Sequence, residues 1–487
     1  MSETPTAAPG SAAAHDTPAL NPWLSAALIC LFAFVLLVLV PRPPSVTVQG
    51  WRMAAIFLCT VLALMLRPIP GGAAVLIGVT VTIVSGVLTI QQGLSAYGSS
   101  TVWLVLAAFF IARALINSGL ARRIALLFVR TIGGTALGLG YSLVGSDLVL
   151  AGIIPSNAAR VGGVLLPITR TLSEIYNSHP GASAGLLGTY LMLALYQGDV
   201  IACATFLTGQ AGNPIGARLA EQTAGVEVYW LSWLYASVVP AIVSVLVVTW
   251  VIYRFLARPE IRHTPQAPEL ARRELRSMGS MTRDERIVLS VFLLVCGLWA
   301  SAPLHRMEMT AAPLLGVSIL LGSGALSWRE AMKEHVAWDV FIWYGGLVRM
   351  GEALAEFGLT RLFAQWVSSH FAGWEWPVLM LAIVAVYFYA HYAFASLTTH
   401  FISMFAPFLA VLLAAGAPAL LTTYLMLFYT NLSASLTHYG TTPAPIVFSA
   451  GYVSHGRWWK VGFLVSLVNL AVWSGIGLIW WKIIGLW

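Results

Sequence analysis

Long apolar runs alternate with short polar breaks along this chain. Residues 26–40, 53–66, 74–88 and 102–116 form runs that approach the roughly 20 residues a helix needs to cross a bilayer. Further runs follow at 230–253, 287–300, 311–326, 340–354, 420–431 and 461–479. Two other regions, about 135–170 and about 375–415, pair apolar arms around a polar tip, and the arms of the first are each too short to cross alone. Their natural shape is a re-entrant hairpin. The pattern predicts an all-α polytopic membrane protein with about 11 transmembrane helices and two such hairpins, counted from window length.

The polar breaks carry the candidate chemistry. The first tip reads Pro155-Ser156-Asn157-Ala158-Ala159-Arg160, and the second reads Ala395-Ser396-Leu397-Thr398-Thr399-His400. Two more breaks interrupt helices, at Thr208-Gly209-Gln210-Ala211-Gly212-Asn213-Pro214 and Thr437-His438-Tyr439-Gly440-Thr441-Thr442-Pro443. In lipid every backbone polar group needs an internal partner, so such peptide is tolerated where it lines a cavity or is buried in protein. Breaks at matching places in two halves mark a transporter binding site. Half-helix N-termini present N–H groups and partial positive charge, which suits a small anion such as a carboxylate.

Composition agrees with a membrane solvent. Of 487 residues 59% are hydrophobic and 9% charged, and the mean hydropathy is +0.82. The net charge of +7 does not call for nucleic acid, because the basic residues sit in short loops. The richest is 254–286, with Arg258, Arg262, Arg272, Arg273, Arg276 and Arg283, and it is expected in the cytoplasm. Arg67, Arg122 and Arg123 then also lie inside, and an odd number of crossings puts the N-terminus inside and Trp487 outside. Residues 1–20 read as a disordered tail, not a signal peptide. Cys30, Cys59, Cys203 and Cys296 show no metal or disulfide spacing and are expected to pack. No cofactor or metal site is expected.

The two halves resemble each other. Trp103 to Arg113 followed by Gly119-Leu120 parallels Val340 to Arg349 followed by Gly358-Leu359, with Arg122 and Arg361 next, and the same spacing carries Ser156 onto Ser396 and Arg160 onto His400. About five crossings between the copies, an odd number, would invert one relative to the other. The expected organisation is a first half at 21–257 with its repeat starting near 51, a linker at 258–284, and a second half at 285–487.

Pro155-Ser156-Asn157 with Arg160, the run Ala390-His391-Tyr392-Ala393-Phe394-Ala395-Ser396-Leu397, the Thr208-Gly209 break and Gly451-Tyr452-Val453 resemble the divalent anion/sodium symporter family. Within it the chain looks closest to the bacterial citrate/succinate and tartrate/succinate antiporters, which are related to plastid 2-oxoglutarate/malate translocators. The resemblance implies a homodimer in which a scaffold holds a mobile transport domain, containing both hairpins, that moves as an elevator. It also implies Ser-Asn-Thr tips that hold substrate carboxylates. This chain has Ala158 for the first Thr, and Leu397 for the Asn between Ser396 and Thr398, which weakens a sodium site there. In exchangers, a cation at the places of Arg160 and His400 is implied to supply the fixed positive charge that sodium supplies elsewhere.

The expected substrate site therefore comprises Ser156, Asn157, Ala158, Thr208, Gly209, Asn213, Ser396, Leu397, Thr398, Thr441, Thr442 and Pro443, with Arg160 and His400 as countercharges. Asp147 and Asp199 lie within membrane segments, where carboxylates are expensive; pairing to an Arg is the favoured reading and proton coupling the lesser one. His438 reads either as a ligand or as packing. The expected activity is exchange of di- or tricarboxylates across a bacterial cytoplasmic membrane. A sodium- or proton-coupled symporter is the alternative, with a channel behind it. A membrane-embedded enzyme would need an Asp-rich metal motif or a His pair at metal spacing, and neither stands out.

Overall fold

The computed structural model describes residues 21–66, 68–305, 307–359, 362, 369, 375–394 and 396–487. The expected N-terminal tail, Arg67 and Arg361 lie outside them. Among the described residues the chain is helical throughout, with one isolated β-bridge between Thr135 and His263.

The first half comprises α1 (Pro22–Phe34), α2 (Val48–Leu66), α3 (Gly71–Val84), α4 (Ile90–Leu94), α5 (Ser100–Asn117), α6 (Leu120–Ile132), α7 (Ala136–Ala151), α8 (Leu166–Ile175), α9 (Gly188–Thr205), α10 (Asn213–Ala224) and α11 (Trp230–Val251). The linker carries α12 (Gln266–Ser277). The second half follows as α13 (Arg283–Ala300), α14 (Ala302–His305), α15 (Ala311–Ser323), α16 (Trp328–Met332), α17 (His335–Glu356), α18 (Trp376–Tyr389), α19 (Leu397–His400), α20 (Ala406–Ala414), α21 (Ala419–Ser433), α22 (Pro443–Phe448), α23 (His455–Val472) and α24 (Leu478–Ile483). Counting the π- and 3-10 turns that extend some of them, seven helices among the described residues are long and apolar enough to cross a membrane, and α3, α7 and α15 are shorter apolar helices.

The halves repeat one local grammar. Helices α4 and α16 both open on a capping box, Thr89 with Gln92 and Ser327 with Glu330. Beyond the ends of α5 and α17, Gly119 and Gly358 take φ of 85° and 77°, a region glycine enters without steric cost. Each hairpin returns through a helix that begins at a serine cap: the Ser156 hydroxyl accepts from Ala159 N at 3.2 Å, and the Ser396 hydroxyl from Thr399 N at 3.5 Å. Both returning helices then widen into π-turns, Ala159–Leu165 and Phe401–Phe405. Pro167 and Pro407 stand just beyond, each in the first turn of the following segment. A proline lacks the N–H and crowds the carbonyl one turn back, so the ladder is already broken where the π-turn sits.

Packing sorts the helices into two groups. Helices α2 to α5 pack with one another and with α13 and α15 to α17, while α7, α9, α11 and α18 to α23 form a second group. Fewer junctions join them, chiefly α5 with α6 and α10, and α13 with α6 and α11. The linker is clasped rather than loose: α12 lies on α6, Arg122 meets Glu274 at 2.7 Å, and Thr264 N donates to Gly134 O at 2.9 Å. Nearby Arg123 grips Glu285 through Nε and Nη2 at 2.6 and 3.0 Å. Burial alone would raise the Glu285 carboxyl, but hydrogen bonds from Arg123 and Thr282 hold it below the usual range.

Candidate substrate site

The first hairpin tip meets the second helix break. Asn157 Nδ2 donates to Thr441 Oγ1 at 3.0 Å, and Asn157 Oδ1 accepts from Thr442 Oγ1 at 2.9 Å and from Ala158 N at 3.1 Å. Ser156 sits half-buried beside it, and Pro443 opens α22 directly after Thr442. Residues nearly 300 positions apart thus form one polar surface at a hairpin tip and a half-helix N-terminus. In the second hairpin, Leu397 is buried, while Ser396 and Thr398 are half-exposed at the start of α19.

The first break is locked by its own side chains. Asn213 Nδ2 donates to Cys203 O and Phe206 O at 2.8 and 2.9 Å, and its Oδ1 accepts from Gln210 and from Asn431 of α21. Thr208 donates to Gly152 O at 2.8 Å and accepts from Trp230 Nε1 at 3.2 Å, joining the break to the end of α7. The polar groups of Thr208 and Asn213 are therefore engaged in shaping the break, not presented to a ligand as expected. At Gly209 a Cβ would lie 2.7 Å from Cys203 O, so only glycine permits this approach.

Arg160 lies behind the first tip, fully buried. Its Nε donates to Asp147 Oδ1 at 2.8 Å and its Nη2 to Asp199 Oδ1 at 2.8 Å. Nη1 donates to Ile154 O at 2.7 Å and Gly209 O at 2.6 Å, and Cys203 Sγ lies 3.5 Å from Nη2. All five guanidinium donors are used. Arg160 is expected as a fixed countercharge, and here its charge is opposed by Asp147 and Asp199. Pairing to an Arg is what the structure shows for both aspartates. Cys203 joins a polar network instead of only packing.

His400 takes the matching place in the second hairpin. Its ring lies tilted against Tyr387 of α18, with centroids 4.5 Å apart, and its Nδ1 lies 3.2 Å from Nδ1 of His391. His391 Nε2 faces Gly440 O at 2.8 Å and so carries a hydrogen. In neutral rings His391 Nδ1 then accepts and His400 Nδ1 donates. Tyr387 in turn meets Thr430 of α21 at 2.5 Å. Where the first repeat joins arm, returning helix and next helix through Asp147, Arg160 and Asp199, the second does so through Tyr387, His400 and Thr430. Residue reasoning missed His391, Gln210 and Asn431. A second intramembrane histidine close before His400 was the available signal. His438 packs among Phe448, His455 and Trp459 and accepts from Trp459 Nε1 at 3.1 Å, a structural placement.

Spans, paired hairpins and a polar tip-to-break junction define a multi-pass solute carrier. The family described as "Sodium:sulfate symporter transmembrane region" matches residues 22–487, and the chain belongs to it. YflS of Bacillus subtilis (strain 168), a candidate malate transporter, is 41% identical over 94% of this chain and 96% of its own length. Dicarboxylate transporter 1 of Arabidopsis thaliana chloroplasts is 40% identical over 96% and 86%. The citrate/succinate antiporter of Escherichia coli (strain K12) is 31% identical over 92% and 95%. The crystal structure of the YdaH transporter of Alcanivorax borkumensis shares the fold, with a TM-score of 0.58 at 12% identity over 95% of this chain and 98% of that one. The chain is a membrane transporter, not an enzyme.

Proposed function

We propose that this protein exchanges di- or tricarboxylates of the succinate, malate, citrate or tartrate type across a bacterial cytoplasmic membrane. The observation that carries the reading is the junction of Asn157 with Thr441 and Thr442, which assembles amide and hydroxyl groups from opposite repeats. Ser156, Ala158, Ser396, Leu397, Thr398 and Pro443 complete the surface. Hydrogen bonds to a charged carboxylate are worth about 1.5–3 kcal/mol each, so a few offset the lost hydration of a small dianion. Relatives named for dicarboxylates and for citrate and succinate support the substrate class.

The use of the carbonyls behind the tips supports exchange over ion-driven symport. A sodium-coupled site needs backbone oxygens free for the cation. Here Arg160 donates to Ile154 O and Gly209 O, and His391 to Gly440 O. A covalently fixed group cannot leave with a gradient. The remaining parts of the proposal are inverted repeats, an elevator motion, a homodimer, a cytoplasmic N-terminus and an external C-terminus.

Proteoliposomes test it. Preloading with unlabelled dicarboxylate should accelerate uptake of labelled substrate at least tenfold over empty vesicles, with choline replacing sodium at no loss. Accumulation by empty vesicles only under an imposed sodium gradient would establish the symporter instead.

A further inference from the structure

The charge count around Arg160 does not close. One guanidinium faces two carboxylates, and all three side chains are 0% exposed. Asp147 and Asp199 each give only Oδ1 to Arg160. Their Oδ2 atoms are buried with no hydrogen-bond partner among the described residues. The two carboxyl groups are nonetheless brought together on one guanidinium, Asp147 at Nε and Asp199 at Nη2, each 2.8 Å away. Two acceptors that close, wholly removed from water, repel unless a hydrogen lies between them.

Among the described residues no group supplies that hydrogen. Arg160 has spent its donors on the two Oδ1 atoms, Ile154 O, Gly209 O and the Cys203 sulfur. The Cys203 thiol lies 3.5 Å from Gly209 O and 3.8 Å from Asp199 Oδ1, on the side already bonded. Tyr196, one turn before Asp199 on α9, donates to Ala434 O at 2.5 Å. A metal ion would need further oxygens, yet the nearest carbonyls are occupied by Arg160. Among the described residues no group of three or more His, Cys, Asp or Glu side chains could hold one.

We propose that Asp147 and Asp199 share one proton through their unpartnered carboxyl oxygens, so that the Arg160 cluster is neutral at neutral pH. The proton is bound by the hairpin and the helix behind it, and it completes the hydrogen bonding of both carboxyls. Its loss leaves a net negative charge around Arg160, which stands on the same returning helix as Asn157, and so weakens binding of an anionic ligand. The inference rests on the buried cluster alone. It stands whether the carrier exchanges or co-transports.

Infrared difference spectroscopy of purified protein reads the proton without any substrate. At pH 7 the wild type should show a protonated-carboxyl C=O band that shifts in deuterium oxide. Asp147→Asn and Asp199→Asn should each remove it, since the remaining carboxylate then pairs with Arg160 as an ion. Asparagine has the shape of a neutral carboxyl, so each single variant should fold and stay monodisperse. The double variant, which strands the Arg160 charge, should not fold. In folded Asp199→Asn protein, thermal stability should vary less between pH 7 and 9 than in the wild type. A band that survives both single substitutions, no such band in the wild type, or failure of both single variants to fold would each overturn the proposal.

Discussion

Asn157 uses both ends of its amide on hydroxyls from the other half of the chain, and this makes it the most informative single residue to change. Asn157→Asp keeps the shape but places a negative charge beside a carboxylate substrate. Exchange should fall at least a hundredfold while the melting temperature stays within a few degrees; wild-type exchange in this variant would remove the tip from the site. Arg160 makes a different prediction because its donors serve the fold. Arg160→Lys retains the charge but cannot place five N–H groups in a fork. It leaves carbonyls and carboxylates short of partners, and breaking such a buried pair costs about 3–5 kcal/mol. A large loss of thermal stability in detergent is expected, and a lysine variant as stable as the wild type would contradict it. The sequence singled out Asn157, Thr441 and Thr442, which meet in the structure, because polar residues beside Gly and Pro are conspicuous in an apolar chain. It did not reveal that the groups of Thr208 and Asn213 turn inward, since direction depends on the local path of the broken helix. Nor could spacing alone show both aspartates closing on Arg160, which needs α7, α9 and the returning helix packed together.

At the scale of elements, the sequence pairs Ser156 with Ser396 and Arg160 with His400 at one spacing, and Pro167 and Pro407, which the sequence reading did not use, stand at that same spacing. These markers fall on the serine caps, the π-turns and the segments just beyond them, so the pattern reported backbone geometry as well as chemistry. Short elements were harder to read. Helices α4 and α16 are one turn or so, and the clasped α12 looked like a charged loop because its burial comes from α6 rather than from its own composition. Close helix approach is another property that composition hides. Gly198 on α9 faces Val144 of α7, where an added Cβ would sit 2.5 Å from Val144 Cγ2. Gly198→Ala should therefore push α9 from α7, costing about 1–3 kcal/mol by overpacking. The adjacent Asp199 would be drawn from Arg160 with it. Adding Val144→Ala should recover most of the lost melting temperature. A single variant with unchanged stability would show that the two helices yield freely at this contact.

For the whole molecule, the number of crossings could not be read from apolar windows alone, because several helices that pack inside are too short to span by themselves. The division into two packed groups gives the elevator proposal a definite contact to break. Arg218 on α10 reaches Glu352 on α17 at 3.1 Å, and Arg349 on α17 binds Glu356 through two bonds of 2.7 and 2.8 Å while lying 3.7 Å from Glu352. Helix α10 follows the first break, and α17 belongs to the group of α3 and α5. If the hairpin-bearing group travels against the other, this ion pair opens in every cycle, since neither side chain can follow a helix moving by many ångströms. The pair is partly exposed, so a modest contribution near 1 kcal/mol is expected and its loss alone should be tolerated. Arg218→Cys and Glu352→Cys taken singly should therefore retain most exchange in proteoliposomes. Joined by a short bis-methanethiosulfonate, which forms a disulfide to each cysteine with release of methanesulfinate, in a background lacking the four native cysteines, the double variant should stop exchanging, and reduction of the two disulfides should restore it. Crosslinked protein that exchanges at the uncrosslinked rate would mean that α10 and α17 keep their distance through the cycle, and substrate would then have to cross by gates that open around a stationary junction.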